Sequence, residues 1–284
     1  MVGFHKPATL AEALALLADE DARPLSGGQT LVPMLNQGVV QPSLIVSLGR
    51  LRELRGITRL AGGAVRIGAM ATHAEIATST LFEAGQTLMP RTAVQIADPA
   101  VRAAGTIGGS CAFGDPTADW PVTLCACGAL IELASAAGRR EVPATDFFQH
   151  YLQTELQTGE LVTAVTIPPL AGRGVYRKFA RVYGDNATVS VAVILDVDVD
   201  VAVEAGRCRF VRLAVGSVGP RPIRLTAVED SLVGRMLDAA AAEAAGAALA
   251  AEADPLDDLR GSAAYKRRIL PRLVQRTLLE GINP

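Results

Sequence analysis

One stretch of small residues constrains the fold of this chain more than any other. It runs from Gly105 to Asp119 and reads G-T-I-G-G-S-C-A-F-G-D-P-T-A-D, with Ile107 set between small residues and a Gly pair after it. Because glycine has no Cβ and tolerates positive φ, such a segment lets backbone N–H groups approach an anionic ligand closely. A Gly-rich turn between two strands is the other interpretation of this loop.

A second Gly pair lies upstream, in the stretch L-S-G-G-Q-T-L-V that begins at Leu25. Residues 23–25 predict a short strand before it, and residues 31–35 predict a helix after it, because a helix start tolerates Pro33. A loop between the carboxyl end of a strand and a helix is where α/β folds bind anions. Two candidate phosphate cradles in one chain predict a ligand with two phosphates.

The sequence predicts an α+β protein of three units. Residues 1–55 predict a small N-terminal α/β unit, and residues 56–172 predict a middle α+β unit built on antiparallel strands. Residues 173–284 predict a C-terminal three-stranded antiparallel sheet followed by a helical bundle. The segment Pro168–Gly174 is rich in Pro and Gly and is the clearest linker in the chain.

Capping signals locate the first helices. Thr9 precedes Glu12 by three residues, and Thr72 precedes Glu75 by three, which is the spacing of a capping box. A later helical stretch is predicted to end at Asp98-Pro99. The glycine segment that follows is predicted to be a loop.

In the C-terminal unit, three runs of apolar residues predict the strands of the sheet, at residues 176–182, 187–203 and 208–218. Two helices follow. The first, residues 238–252, is rich in Ala and is predicted to pack through small residues. The second, residues 265–279, is amphipathic and contains Pro271, which predicts a kink.

The composition excludes several classes of function. Half of the residues are hydrophobic, 20% are charged and the formal net charge is −2, so no electrostatic footprint for nucleic acid or an anionic membrane is present. No apolar stretch approaches the roughly 18 residues of a membrane span. Residues 1–7 lack the apolar region of a signal peptide, so we expect a cytoplasmic protein.

No motif for a metal or a nucleophile stands out. Cys125 and Cys127 form a lone C-x-C pair without a nearby His, so the four cysteines are expected to be small buried hydrophobes and no metal is expected. The sequence has no G-x-G-x-x-G, phosphate-loop, G-x-S-x-G or H-E-x-x-H motif. Two phosphate cradles without catalytic residues indicate a bound cofactor that performs the chemistry.

Five blocks then occur in order along nearly the whole chain. They are S-G-G-Q-T from Ser26, I-A-D-P…G-T-I-G-G-S…D-P-T-A-D from Ile96, G-E-L-V-T-A-V-T-I-P from Gly159, K-F-A-R from Lys178 and D-D-L-R-G-S-A-A-Y-K-R-R from Asp257. Together they resemble the FAD-binding medium subunit of the molybdenum hydroxylases, a family that includes carbon monoxide dehydrogenase and bacterial xanthine dehydrogenase. The resemblance implies a PCMH-type FAD-binding fold for the first two units.

The resemblance also implies which residues bind the cofactor. The first loop would wrap the FAD diphosphate, through Leu25, Ser26, Gly27, Gly28, Gln29, Thr30, Leu31 and Val32. The second cradle would consist of Thr106, Ile107, Gly108, Gly109 and Ser110, with Ile107 also close to the isoalloxazine ring. The remaining contacts would be packing by Ile96, a polar contact by Asp119, a backbone contact by Val162 and a cation, Lys178, at the pyrimidine end of the ring. A cation there stabilises the negative charge of a reduced flavin.

Each of the last contacts has a structural alternative. Asp119 could cap the helix that follows it, Lys178 could be a solvated strand residue, and Val162 could belong to the core. Where relatives often read R-R-x-x-D-F-A, this chain has R-V-Y-G-D-N at residues 181–186. In relatives this loop lies against the flavin, so Tyr183 is either a flavin-covering aromatic residue or an exposed turn residue.

The resemblance further implies an assembly, a dimer of heterotrimers. A large subunit with the molybdenum cofactor would hydroxylate an organic substrate, and a small subunit with two [2Fe-2S] clusters would pass electrons to FAD in this chain. Residues 119–160 lack the Cys-rich insertion that carries an extra cluster in some relatives. These motifs specify neither the substrate nor the redox potential, and they leave NAD, dioxygen and quinone open as electron acceptors.

Two functions of other classes remain open. A self-sufficient flavoenzyme of the enolpyruvoyl-glucosamine reductase type would need Ser-Asn in place of Gln29-Thr30, together with a catalytic acid and a substrate-binding domain. A scaffold without flavin would need neither the intact Gly pairs nor Lys178.

Overall fold

The computed structural model describes residues 2–200 and 205–282. The N-terminal part forms a parallel sheet with the strand order β1-β3-β2. Its elements are β1 (Gly3–His5), α1 (Leu10–Leu16), β2 (Ala22–Leu25), α2 (Leu31–Asn36) and β3 (Leu44–Ser47). As predicted, Thr9 caps α1, and its hydroxyl oxygen accepts the N–H of Glu12 at 3.2 Å. β1 was not predicted, because three residues carry no readable periodicity.

The middle part contains a five-stranded sheet with the order β4-β5-β10-β6-β7, antiparallel throughout. These strands are β4 (Ile57–Arg59), β5 (Val65–Gly68), β6 (Leu130–Ser135), β7 (Gly138–Pro143) and β10 (Leu161–Ile167), with a small ribbon of β8 (Phe148–His150) and β9 (Gln153–Thr154) beside them. The mostly apolar run at residues 161–167 predicts a strand that ends before Pro168-Pro169, and β10 has these bounds. It is central because nearly all of its residues are buried on both faces.

The middle helices are α3 (His73–Thr78), α4 (Leu88–Ala93), α5 (Pro99–Ala104), α6 (Ile107–Phe113), α7 (Asp119–Cys127) and α8 (Ala144–Phe147). The capping box of Thr72 and Glu75 is present at α3. Asp98-Pro99 does not merely end a helix. It also begins α5, since the Asp98 carboxylate accepts the N–H of Val101 at 2.9 Å and proline suits a first turn.

The glycine segment is likewise not a plain loop, because residues 107–113 form α6. Thr106 caps this helix by accepting the N–H of Gly109 at 3.1 Å. Gly108 packs directly on Ala69: a Cβ on Gly108 would lie 2.5 Å from the Ala69 Cβ. Two glycines disfavour helix by local propensity, so tertiary packing and the cap outweigh that preference here.

The C-terminal part contains three antiparallel strands, as predicted: β11 (Arg173–Phe179), β12 (Val189–Asp200) and β13 (Ala205–Gly216). β11 begins and ends three residues earlier than predicted, so its first two residues belong to the segment predicted as a linker. Two unpredicted two-residue strands, β14 (Ile223–Arg224) and β15 (Met236–Leu237), also pair with β13. Residues 201–203 of the predicted second strand lie outside the described residues. Strands of two residues are too short for a sequence pattern to reveal.

The C-terminal helices are α9 (Thr226–Leu232), α10 (Ala239–Ala251) and α11 (Ala263–Ile282). α10 and α11 pack closely through small residues, as predicted: a Cβ on Gly246 would lie 2.7 Å from the Pro271 carbonyl oxygen. All four cysteines are buried and free, and burial raises the pKa values of Cys125 and Cys127 to about 12. Within residues 2–200 and 205–282, no helix is both long and apolar enough to cross a membrane.

The edge of β13 between β14 and β15 is closed by a side chain. The carboxylate of Glu229, which is 4% exposed, accepts the N–H of Leu213 at 2.8 Å. It also forms a two-point ion pair with Arg224, at 2.7 and 2.8 Å. Glu229→Ala would leave a strand N–H and a guanidinium without their acceptor, so we expect a loss of about 2–4 kcal/mol in the free energy of unfolding.

Urea denaturation of the purified chain measures this loss. The matched control is Asp254→Ala, which breaks an ion pair of Asp254, a largely exposed side chain, with Arg267. We expect the control to change the free energy of unfolding by less than about 1 kcal/mol. Equal effects of the two substitutions would contradict a structural role for Glu229.

Candidate functional site

A cavity of about 640 Å³ lies between the N-terminal sheet and the middle helices. This volume is within the roughly 300–1,000 Å³ typical of ligand pockets. Thirteen of the eighteen predicted site residues line it, namely Ser26, Gly27, Gly28, Gln29, Thr30, Leu31, Ile96, Thr106, Gly108, Gly109, Ser110, Asp119 and Val162. Residues predicted from both glycine segments therefore meet in one place.

The first glycine segment presents unused hydrogen-bond donors to this cavity. The backbone N–H groups of residues 27–31 donate to no acceptor in the part of the chain that the structure describes. The next N–H groups are paired, since Val32 donates to the Gly28 carbonyl at 3.1 Å and Met34 donates to the Thr30 carbonyl at 3.2 Å. Five successive free donors beside a cavity favour an anionic ligand.

The two glycine segments are in direct contact. A Cβ on Gly27 would lie 2.1 Å from the Ala104 carbonyl oxygen and 2.8 Å from the Gly105 Cα. Beside this contact, the hydroxyl groups of Ser26 and Thr106 share a hydrogen bond of 2.7 Å. The backbone approach at Gly27 thus fixes the distance between the two walls of the cavity.

The second glycine segment differs from the expected cradle of backbone donors. Its N–H groups at Ile107 and Gly108 donate to the carbonyls of Ala71 and Ala69, at 3.1 and 2.9 Å. Those of Gly109 and Ser110 donate to the side chain and the carbonyl of Thr106. The segment therefore offers no free N–H groups from residues 107–110, because packing on residues 69–71 uses the first two donors and the Thr106 cap uses the other two. The Ile107 side chain is fully buried and does not line the cavity.

Asp119 lies in the cavity wall and is held by two partners. Its carboxylate accepts the hydroxyl of Tyr176, and it lies 3.0 Å from the Lys178 ammonium. Both side chains of the ion pair are at least nine-tenths buried. Burial raises the pKa of the Asp119 carboxyl above its ordinary value, although Lys178 and Tyr176 act in the opposite direction. Asp119 does not cap α7 through its side chain, and Lys178 is not solvated, so neither structural alternative holds.

The remaining predicted residues divide into those beside the cavity and those outside its wall. Val162 lines it at a β-bulge, where the pairing of β10 with β6 shifts register. Leu25 and Val32 flank Gly28, since a Cβ there would lie 3.5 and 3.2 Å from their side chains. Tyr183 is 80% exposed and its hydroxyl donates to the Val94 carbonyl at 2.9 Å. Its coverage of a bound flavin stays a prediction.

Several lining residues carry no signal in the sequence. They include Arg23, His73, Trp120 and Asn186. Asn186 links the loop at residues 181–186 to the central segment, because its amide donates to the Asp115 carboxylate at 3.1 Å. No local motif marks these residues. Only the folded chain brings them to the wall.

The family described as "FAD binding domain in molybdopterin dehydrogenase" matches residues 1–170, and the "CO dehydrogenase flavoprotein C-terminal domain" matches residues 174–281. The chain belongs to the FAD-binding subunits of the molybdenum hydroxylases. This subunit is 36% identical over 282 residues to the nicotine 6-hydroxylase medium subunit of Paenarthrobacter nicotinovorans, covering 98% of this chain and 96% of the relative. It is also 36% identical over 279 residues to the carbon monoxide dehydrogenase medium chain of Afipia carboxidovorans, covering 97% and 94%.

Solved structures agree with these relatives. A chain of quinoline 2-oxidoreductase from Pseudomonas putida 86 superposes on the subunit with a TM-score of 0.93 at 34% identity, covering 99% of this chain and 97% of the other. A chain of the Cu,Mo-CO dehydrogenase gives a TM-score of 0.90 at 36% identity, covering 98% and 96%. The family and the α+β fold class expected from the sequence are confirmed.

The residues of the subunit fit FAD. The five free N–H groups of the first loop suit a diphosphate, and Arg23 adds a positive charge to the same wall. At Gly109 a Cβ would have two side chains within 4 Å, Thr106 with its Oγ1 at a tight 3.1 Å and Ser26 with its Cβ at 3.7 Å, and no backbone atom of another segment. Space that glycine leaves beside a cavity is space for a closely approaching ligand.

Proposed function

We propose that this chain is the electron-exit subunit of a multi-subunit molybdenum hydroxylase. It would hold FAD, receive electrons from [2Fe-2S] clusters of a small partner subunit and pass them to an external acceptor. The single observation that carries the proposal is the run of free backbone donors at residues 27–31 in the wall of the cavity. Bound FAD supplies the exchange between one-electron and two-electron steps.

The chain's own residues would bind and orient the cofactor. The first loop would hold the diphosphate, and the wall from Thr106 to Ser110 would allow its close approach. Asp119 lies in the cavity wall with Val162 and Ile96, and its buried ion-pair partner Lys178 is not itself a lining residue. In this proposal the pair lies beside the flavin. A rigid polar pair at this place would orient the ring and tune its potential. In this proposal Tyr183 covers the flavin from the loop at residues 181–186.

The partners follow from the relatives rather than from this chain. Relatives bear the names of medium subunits or medium chains of dehydrogenases and hydroxylases. We therefore propose a large subunit with the molybdenum cofactor, a small iron–sulfur subunit and a cytoplasmic dimer of heterotrimers. The three units at residues 1–55, 56–172 and 173–284 form part of the same proposal. No observation favours a self-sufficient reductase.

Absorbance spectroscopy tests the proposed electron path. The chain is purified alone and as a complex with its large and small subunits. Each sample then receives a panel of nicotine, quinoline, glyceraldehyde, xanthine and carbon monoxide. We expect flavin bands in both samples and their bleaching only in the complex. Bleaching of the flavin bands of the isolated chain by a panel compound would indicate a self-sufficient enzyme. Absence of flavin from both samples would indicate a scaffold protein without a cofactor.

Gly109→Leu separates FAD binding from folding. Gly109 lines the cavity, and a Cβ there would have only Thr106 and Ser26 of the described residues within 4 Å. Position 109 is helical, and leucine is the better helix former by roughly 0.8 kcal/mol. We expect a folded protein with an apo-state melting temperature close to that of the original chain and with FAD content reduced to near zero.

The matched control is Gly49→Leu, where a Cβ would only touch the Ser47 Oγ at 3.6 Å. This exposed position lies outside the cavity wall, so full FAD content is expected. Flavin content is read from the absorbance of the heat-released cofactor. A folded Gly109→Leu chain with one FAD per chain would contradict the proposed cradle.

A further inference from the structure

His73 has a position that the proposed function leaves unused. It opens α3 and lines the cavity, yet its side chain is largely buried, at 6% exposure. The backbone N–H of His73 donates to the Gly105 carbonyl at 3.0 Å, and the indole N–H of Trp120 donates to its Nδ1 at 3.1 Å. The bond to Gly105 therefore holds the His73 backbone against the second glycine segment, and the bond from Trp120 of α7 orients the imidazole ring.

The hydrogen bond from Trp120 determines the tautomer. Because Nδ1 accepts that bond, a neutral imidazole must carry its proton on Nε2. Burial, with a smaller contribution from the charge of Arg102, lowers the pKa of His73 to about 4, so the ring is neutral near pH 7. The Nε2–H group donates to no acceptor among the residues that the structure describes.

The surroundings of Nε2 place this donor beside the cavity. A Cβ on Gly105 would lie 2.9 Å from both Nε2 and Cδ2 of the ring. Gly105 itself lines the cavity, so the ring edge reaches the wall at a place where only a glycine leaves room for it. Nε2 is not one of the fully buried side-chain atoms that lack a partner among the described residues, so it is open to an acceptor that enters the cavity beside it.

We infer that His73 is a cofactor-binding residue whose Nε2–H donates a hydrogen bond to an acceptor atom of bound FAD. This inference rests on the proposed function, and it adds a donor to the second wall of the cavity, whose backbone donors are already used. A neutral donor suits an oxygen or nitrogen of the cofactor and leaves the net charge of the site unchanged. The competing role is structural, in which His73 only accepts the Trp120 bond.

Two substitutions separate these roles, because each keeps one end of the imidazole. His73→Asn places an amide oxygen near the position of Nδ1, so it can still accept from Trp120, but it has no donor at the position of Nε2. His73→Gln places an amide N–H near the position of Nε2 and gives up the acceptor for Trp120. His73→Gln leaves the indole N–H of Trp120 without its acceptor, which can destabilise the fold. Combining His73→Gln with Trp120→Phe removes that unpaired N–H.

The full chain is stripped of FAD and titrated with FAD, and the dissociation constant is read from the quenching of flavin fluorescence. We expect His73→Asn to bind FAD about tenfold more weakly. The dissociation constant of His73→Gln should lie within about threefold of that of the unsubstituted chain. That of the double variant should lie within about threefold of that of Trp120→Phe alone. Melting temperatures of the apo chains show whether each variant is folded.

Two results overturn the inference. One is unchanged FAD affinity in folded His73→Asn, and the other is equal weakening in the Asn and Gln variants. Failure of the proposed function gives a different signature, since the unsubstituted chain would then not bind FAD at all. Loss of FAD only in Gly109→Leu, with every His73 variant binding normally, would retain the proposed function and reject the role of His73.

Discussion

Replacing Lys178 by Met should lower the free energy of unfolding of the FAD-free chain by about 3–5 kcal/mol, because it leaves a buried carboxylate without its cation. The Lys178 ammonium lies 3.0 Å from one oxygen of Asp119 and 3.2 Å from the other. Among the residues that the structure describes, Tyr176 would then be the side chain that still donates to that carboxylate. Methionine has a similar length, so the change in packing volume is small.

The loss should depend on pH in a defined direction. Burial already raises the pKa of Asp119 and Lys178 opposes the rise, so Lys178→Met raises that pKa further. Between the unfolded-state Asp pKa of about 3.9 and the raised folded-state pKa, the folded variant holds a proton that the unfolded chain has released. A raised folded-state pKa contributes stability below the unfolded pKa, and this stability is lost as pH rises toward the folded pKa. The deficit of the variant is therefore smaller at pH 5 than at pH 8.

Urea denaturation at these two pH values measures the effect, with Asp119→Asn added to Lys178→Met as the matched control. Asparagine keeps an acceptor for Tyr176 and carries no charge. The double variant should regain most of the lost free energy and should lack the added pH dependence. Two outcomes would show that the pair does not stabilise the fold. One is a deficit of the single variant below about 1 kcal/mol. The other is a deficit that is the same in the single and the double variant and the same at both pH values.

The elements that the sequence predicted well have strong local signals. Thr9 and Thr72 lie at capping positions that the structure confirms, and β10 is a mostly apolar run with the expected bounds. The helix α6 was missed because its signal is not local. Gly108 and Gly109 disfavour a helix, and only the Thr106 cap and packing on Ala69 reverse that preference.

The residues of the candidate site could be predicted where they belong to the sequence motifs that occur in order along the chain. Both glycine segments line one cavity, as the pattern implied. The chemistry of the second segment was not predictable, because free and used N–H groups look alike in a sequence. His73 and Trp120 are 47 positions apart, and their hydrogen bond arises only when α3 and α7 pack. A hydrogen bond between residues so far apart in the chain cannot be predicted from their spacing in the sequence.

Gly27→Ala should abolish FAD retention and also destabilise the chain. The new Cβ would lie 2.1 Å from the Ala104 carbonyl oxygen, so the two backbones must separate by roughly 1 Å to reach van der Waals contact. That shift also weakens the bond of Ser26 with Thr106 and moves the free donors of the first loop away from the second wall. Loss of two or more hydrogen bonds to a charged ligand corresponds to at least about hundredfold weaker FAD binding.

Fluorescence titration with FAD and urea denaturation of the apo chain measure the two effects of Gly27→Ala. Overpacking should cost about 1–3 kcal/mol of unfolding free energy. Gly49→Ala is the matched control, because its Cβ would make only an ordinary contact, 3.6 Å from the Ser47 Oγ, and it should change neither quantity. Retention of native FAD affinity by Gly27→Ala would mean that the spacing of the two glycine segments does not control the cavity. A destabilised chain that still binds FAD normally would assign Gly27 to folding alone.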